Sequence, residues 1–543
     1  MGVLRLVRRF KRESSAILGG PMLREPVGFS TNATCYVIRD AVSDSVCHRL
    51  IAEAESRGIA VTGADYPPSY RDNDRLVFDD PKLADWLFDI LGTELPRELA
   101  DDGGTFSLVG LNPRFRVCRY EDGQSFRIHQ DGAHTVCDDV ASRLTCQIYL
   151  NSADEFSGGA TRFYAASSFA LLGRVSPVRG TAIVFDHRLW HDGEAVPNGR
   201  KYVLRTDVLY RYTPHRREST QDLDRADSDC IVLRGHHGYV WSVLALGPGR
   251  LASSSRDRTI RLWERAGDSW ICRDVLSGSA SSMGSLALVD DTLWSGSRDH
   301  TLCRWDLSTG QATVLHHGAG AVLCITKAKH CVLVATADGW LRVFAADGTQ
   351  TESRQVSSTW LWSVAALAAD RFVCGDEAGV MRILSKEDPR QEIALCPGRG
   401  AVHALHTLAD GRLVAGFADG SITVYKSEGA TLREQHHLTA HHGEVYALAS
   451  RGQALASGGE DGQLHLWDLS AEPVQIGSIA HPSFVRSVTF CEDGTLVSGC
   501  YDGLLRVSPQ LSPRLEHHRC VRHHIAPEIS TTAPALPNAH RRT

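Results

Sequence analysis

No stretch of this 543-residue chain is long and apolar enough to cross a bilayer, so no membrane span is expected. No Cys-x-x-Cys pair occurs among the fifteen cysteines, and their odd number and scatter suit free thiols better than a disulfide framework. A reducing, cytoplasmic setting is the expectation. Charge of one sign is scarce as well: the formal net charge is only -6, and no basic groove with interleaved aromatics is visible, so no nucleic-acid partner is expected. The basic, amphipathic stretch Met1–Arg12 lacks the continuous apolar run of a secretion signal, and Leu6 stands where a myristoylation pattern wants Ser or Thr.

The length leaves room for two sizeable domains. The chain divides into a basic leader (1–24), a first domain (25–215), a polar linker (216–228), a repeat domain (229–508) and a tail (509–543) whose few large apolar residues predict disorder. So short a linker suggests that the domains can tilt against each other. In the first domain, Ser43 to Gly58 reads as an amphipathic helix through Val46, Leu50, Ile51 and Ala54. A second starts at Pro81 behind Asp80 as N-cap and runs through Leu83, Trp86, Leu87 and Ile90. Arg71, Asn73 and Arg75 lie between them as solvated loop residues or as groups facing a substrate. The rest is strand-like: Phe115, Val117 and Arg119, then Thr145, Gln147 and Tyr149, alternate with period two between Gly/Asp/Asn clusters.

His129-Gln130-Asp131 puts an imidazole and a carboxylate on one face of a strand, because residues two apart point the same way. His191, after the apolar run Thr181–Phe185, supplies a second imidazole, so two His and one carboxylate can take one face of an octahedral iron. His187 competes with His191 for that role. Asp154, Glu155 and the pair Asp138-Asp139 read as solvated loop charges. Cys118 and Cys146 read as core fillers.

The neighbourhood strengthens the pattern: Arg119-Tyr-Glu-Asp-Gly-Gln-Ser-Phe126 leads into His129, and Leu144–Asn151 precedes Ser157-Gly-Gly-Ala-Thr-Arg-Phe163. His191-Asp-Gly-Glu-Ala-Val196 and Gly199-Arg-Lys-Tyr-Val-Leu-Arg205 follow. Over roughly residues 25 to 212 this resembles the 2-oxoglutarate/Fe(II) dioxygenases of the prolyl 4-hydroxylase catalytic-subunit type. The resemblance implies a double-stranded β-helix (jelly roll) with flanking helices and iron on His129, Asp131 and His191. It further implies 2-oxoglutarate and O2 as cosubstrates, and L-ascorbate to keep the iron reduced. The cation that meets the distal carboxylate of 2-oxoglutarate follows the second His in the family, which fits Lys201, with Arg205 as the rival. Tyr120 and Tyr149 resemble tyrosines that line the cosubstrate pocket, or are core.

The second half repeats every forty residues or so, the period of four-stranded propeller blades. Turn acids recur at Asp257, Asp299, Asp338, Glu377, Asp419, Asp461 and Asp502. Six positions after the first six of them stand Trp263, Trp305, Phe344, Ile383, Tyr425 and Trp467. Gly235-His236 and Ala440-His441 keep a His upstream, and Trp305-Asp306 and Trp467-Asp468 end their copies. This resembles WD repeats, and the seven copies imply a seven-bladed β-propeller. The last copy has Ser508 where the aromatic belongs and lacks its outermost strand, which Ile231–Arg234 should supply.

The fold class expected is therefore mainly β. The function expected is an Fe(II)- and 2-oxoglutarate-dependent dioxygenase that hydroxylates a peptidyl residue on a protein or peptide partner recruited by the propeller. A small-molecule hydroxylase, or a non-catalytic scaffold whose oxygenase-like domain senses 2-oxoglutarate and oxygen, are the alternatives.

Overall fold

The computed structural model describes residues 24–27, 33–61, 72–214 apart from 102–103, 133, 138 and 166–169, and 230–508 apart from 268, 330, 369 and 387–391. The basic leader up to residue 23, Arg71, the linker 216–228 and the tail 509–543 lie outside the described residues.

The first unit is two facing sheets. The larger runs in the order 24–26, 35–38, 182–186, 140–149, 201–214, 114–120, 74–79, 60–61, with 104–111 also on 201–214. The smaller runs 171–175, 161–164, 190–193, 126–129. Alternation divides the large sheet's two faces. Leu144, Cys146, Ile148, Leu204, Phe115 and Val117 pack outward on the helices. Cys118, Tyr120, Tyr149 and Val203 look inward, where they meet Phe126 and Phe163 of the small sheet.

Both expected helices form, α1 over Asp44–Arg57 and α2 over Pro81–Leu91. Asp80 accepts from the Lys82 and Leu83 backbone N–H groups at 3.1 and 3.0 Å, and Pro81 occupies a first-turn position where its missing N–H costs nothing. Their buried faces, Val46, Leu50 and Ala54 on α1 and Leu83, Trp86 and Leu87 on α2, cover the outer side of the large sheet.

The second unit is seven four-stranded sheets. The first blade runs from Val240 to Ser277, the sixth from Val445 to Ala480, and the seventh from Val485 to Ser508. The seventh takes its fourth strand from the other end of the repeat domain: Ile231–Leu233 pairs antiparallel with Leu505–Ser508, Ile231 opposite Val507 and Leu233 opposite Leu505. This pairing closes the ring where the expected outer strand was missing.

The fourth blade departs from the expected spacing by one residue. Leu384, not Ile383, stands opposite Phe372 as Trp263 stands opposite Leu251. The turn acid is displaced too. Elsewhere the acid precedes a residue of positive φ, as Asp257 precedes Arg258 at φ 71°, but here Ala378 precedes Gly379 at φ 81°. Asp376, fully buried at the end of the preceding strand, takes over by accepting from the Val380 backbone N–H at 2.9 Å. Glu377 instead accepts from the Trp362 indole.

The two units touch through side chains of the small sheet's last two strands, 190–193 and 126–129. Arg127 pairs with Glu444, and Trp190 packs on Phe484 with ring centroids 4.9 Å apart. The tilting expected from the linker alone is opposed by these contacts.

Candidate metal centre

Strand 126–129 pairs antiparallel with strand 190–193 so that His129 lies opposite His191. Asp131 lies two residues on from His129, past the end of that strand and not on it as expected. The imidazole centroids are 4.2 Å apart, and Asp131 reaches both: Oδ1 is 3.5 Å from His129 Nε2 and Oδ2 is 3.5 Å from His191 Nε2. One ligand atom from each residue lies within 4.8 Å of the others. The tautomers suit a metal. His129 Nδ1 is 2.7 Å from the Arg127 carbonyl oxygen and His191 Nδ1 is 2.9 Å from that of Leu189. A carbonyl only accepts, so each Nδ1 carries the proton and each Nε2 turns a lone pair inward. Phe126 stacks on His129 at 3.6 Å and Phe185 meets His191 edge-on at 4.6 Å, so the ligands are walled from water.

Burial alone would raise the Asp131 carboxyl, but the Arg205 guanidinium and then His191 and His129 hold it well below the usual carboxylate range. Burial, with His129 beside it, holds His191 down to about 3, so it stays neutral. Two imidazoles that point Nε2 inward and one ionised carboxylate, converging in a dry wall, form a donor set that fits Fe(II).

Beside this centre a pocket opens, lined by Tyr120, Gln147, Thr161, Lys201 and Arg205 among others. Lys201 is 2 % exposed, and its ammonium lies 4.9 Å from the Tyr120 ring centroid and 5.6 Å from that of Tyr149. Among the described residues no carboxylate comes within 4.0 Å of it. Burial pulls its pKa down to about 8. Gly159, at φ 72°, gives the lysine room: a Cβ there would stand 3.0 Å from Lys201 Cδ. Arg205, on the same strand face, points elsewhere, with Nη2 2.5 Å from Asp131 Oδ1. Tyr149 sits behind the pocket wall, its hydroxyl 3.0 Å from the Val175 carbonyl and 2.7 Å from Thr161 Oγ1.

The family model of the 2OG-Fe(II) oxygenase superfamily matches residues 115–206. That of the WD domain, G-beta repeat, matches 228–264, 432–468 and 473–507. The chain carries a 2OG-Fe(II) oxygenase domain and WD repeats. It is 25% identical over 245 residues to the "66 kDa stress protein" of Physarum polycephalum, covering 42% of this chain and 39% of that protein. It is 30% identical over 172 residues to F-box/WD repeat-containing protein 9 of Bos taurus, covering 29% of this chain and 37% of that protein. The chain thus spans less than two-fifths of the length of either curated relative. Among solved structures, the WD40 propeller of Doa1 aligns with a TM-score of 0.48 at 20% identity, over 53% of this chain and 97% of that one.

Within the oxygenase domain, the fold brings His129, Asp131 and His191 together and sets Lys201, Tyr120 and Arg205 around them. His187 does not join the set; it is buried with Nε2 3.9 Å from Asp207 Oδ1. Asp139 pairs with Arg211 at 3.0 Å and Glu155 with Arg179 at 2.5 Å, as charges outside the site would. Asn73 is buried with its amide on the Asp74 carbonyl. Three polar residues went unassigned in the sequence: Thr145, whose hydroxyl donates to Asp131 Oδ2 at 2.5 Å, and Gln147 and Thr161, bonded to each other at 2.9 Å. The period-two run Thr145, Gln147, Tyr149 was their signal, because one face of that strand is the inner face.

Proposed function

We propose that the protein is an Fe(II)- and 2-oxoglutarate-dependent dioxygenase that hydroxylates a peptidyl side chain, in the manner of a prolyl 4-hydroxylase, on a partner recruited by the WD propeller. The observation that carries this reading is the convergence of His129 Nε2, His191 Nε2 and the Asp131 carboxylate beside the buried Lys201. Fe(II) held there, with 2-oxoglutarate and O2, supplies an oxidation in which the keto acid is decarboxylated and a substrate C–H bond is hydroxylated, with ascorbate keeping the metal reduced. The chain's own part is orientation and electrostatics. His129, Asp131 and His191 occupy one face of the metal and leave the other positions open. Lys201 pairs with the distal carboxylate of 2-oxoglutarate in a charge-assisted contact, with Tyr120 as the flanking wall. Arg205 and Thr145 hold the Asp131 carboxylate in its ligating orientation. Phe126 and Phe185 exclude water from the ligands. The domains in this reading are 25–215 for the oxygenase and 229–508 for the propeller, and the free thiols favour a cytoplasmic setting.

The test is succinate formation from 2-oxoglutarate by the full-length protein with Fe(II), ascorbate and air. Turnover should vanish in His191→Ala and be rescued by high cosubstrate in Lys201→Ala. No turnover together with no metal-dependent 2-oxoglutarate binding would replace this reading with that of a non-catalytic scaffold.

A further inference from the structure

Each of the three candidate ligands has a chain neighbour that touches the propeller. Two residues before His129, the Arg127 guanidinium pairs with Glu444, while the Arg127 carbonyl accepts the His129 Nδ1 proton at 2.7 Å. On either side of Asp131, the Gln130 side-chain oxygen accepts from Ser483 Oγ at 3.3 Å, and a Cβ at Gly132 would stand 1.5 Å from the Tyr239 hydroxyl oxygen. One residue before His191, Trp190 packs on Phe484. Tyr239, Glu444 and Phe484 hold equivalent positions, each immediately before the first strand of its blade, in blades one, six and seven.

The contacts are anchored on the propeller side. The Glu444 side chain is 8 % exposed and also lies 3.0 Å from His403 Nε2. Removing Arg127 would leave that buried carboxylate to His403. Phe484 is fully buried and packs on Tyr501 at 4.7 Å. On the oxygenase side the need is plain: strand 126–129, which carries His129, is the edge of the small sheet, with strand 190–193 on one flank and, among the described residues, no strand on the other. An edge strand held on one flank is a poor base for a ligand that must be placed to within tenths of an ångström.

We propose that the propeller completes the frame of the metal centre, with Glu444 positioning His129 through Arg127 and Phe484 positioning His191 through Trp190. These are positioning residues; neither touches the ligand set. A molecule that occupies or displaces this face of blades six, seven and one therefore changes metal affinity, and metal binding changes that molecule's affinity by the same factor. The metal half of this inference rests on the function proposed above, so two readouts separate them.

In the metal-free full-length protein, hydrogen exchange is measured in segments 126–132 and 189–193 for wild type, Glu444→Ala, Glu444→Gln, Phe484→Ala and Lys327→Ala. The last removes an exposed pair with Asp290 and serves as control. Co(II) uptake is then titrated by its visible absorption without oxygen. Faster exchange in both segments is expected for Glu444→Ala and Phe484→Ala, with Co(II) binding about tenfold weaker, Glu444→Gln between them and wild type, and the control unchanged. Arg127→Met, which breaks the same pair from the other side, substitutes if Glu444→Ala does not fold. Unchanged exchange and unchanged Co(II) affinity in the folded variants would overturn the inference. Altered exchange in a protein whose wild type takes up no Co(II) would uphold the bracing and overturn the metal reading instead.

Discussion

Arg205 Nη2 lies 2.5 Å from Asp131 Oδ1, and the Thr145 hydroxyl donates to Oδ2 of the same carboxylate at 2.5 Å. Lys201, four residues earlier on the same strand face, points instead into the pocket between Tyr120 and the buried Tyr149. One strand thus carries two cations with separate duties, because period two keeps residues 201, 203 and 205 on one face while about 13 Å of extended chain separates its ends. The arginine's planar fork suits a carboxylate held in place; the lysine's point charge suits a carboxylate that comes and goes.

The two duties should separate in binding experiments. Arg205→Met is expected to weaken Co(II) binding by about 10–100-fold, since it removes a partner that orients a ligand. Lys201→Ala should leave Co(II) binding close to wild type and weaken 2-oxoglutarate by about 10–100-fold, the worth of one charge-assisted contact. Equal losses of both ligands in both variants would show that the cations act as one unit.

Burial pulls Lys201 down to about 8, which gives the pocket a pH dependence of known sign. Below pH 8 the ammonium is protonated in the free protein, and this group leaves 2-oxoglutarate affinity flat. Above pH 8 binding must take up a proton to restore the cation, so affinity should fall about tenfold per pH unit. Calorimetry from pH 6.5 to 9.5 would check it, with Lys201→Arg expected to abolish the slope because guanidinium stays charged. A wild-type affinity that stays flat to pH 9.5 would mean that burial does not bring Lys201 into this range.

Much of this architecture is legible in the chain because it is written in local periods. Period two marked the strand faces that carry Thr145, Gln147 and Tyr149, whereas the single strand expected for His129-Gln130-Asp131 ends at His129, so Asp131 is placed by the chain that leaves it. A repeat short of one strand foretold that Ile231–Arg234 would close the ring, and Ile231–Leu233 of it does. The illegible parts depend on which distant strands meet. Arg205 could not be assigned to Asp131 until its strand was registered against strand 140–149, where it faces Gln147. Glu377 looked like the fourth turn acid because spacing alone cannot separate Asp376 from its neighbour. The contacts of Arg127 and Trp190 with the propeller join residues more than 290 positions apart, a relation no local pattern encodes.

Ser253 is a hub of the first blade: its hydroxyl lies 2.7 Å from His236 Nε2 and accepts from the Trp263 indole at 2.8 Å, while His236 Nδ1 is 2.9 Å from Asp257. Ser253, His236 and Trp263 are buried. Ser253→Ala leaves two buried nitrogens without their partner and should cost roughly 2–4 kcal/mol. Ser457 serves His441 and Trp467 of the sixth blade at 2.8 and 3.0 Å, so Ser457→Ala should cost about the same. Urea unfolding followed by tryptophan fluorescence would measure both. A loss below 0.5 kcal/mol in each would mean that these networks add little to blade stability.

Gly132 tests the contact between the units from the opposite direction, by adding an atom instead of removing a partner. A Cβ there would stand 1.5 Å from the Tyr239 hydroxyl oxygen and 1.9 Å from Cζ, distances no packed pair tolerates. Tyr239 cannot easily swing away, because its ring stacks on Tyr501 at 3.9 Å with an interplanar angle of 13°. The strain should therefore fall on the chain next to Asp131, and Gly132→Ala is expected to weaken Co(II) binding by about tenfold. Shortening the opposing side chain frees the space. Gly132→Ala combined with Tyr239→Ala should recover most of the lost metal affinity, while Tyr239→Ala alone lowers propeller stability by about 1–3 kcal/mol through the lost stack. Recovery in the double variant would locate the damage at the Gly132–Tyr239 contact; persistent loss would place it in the backbone of the metal strand itself.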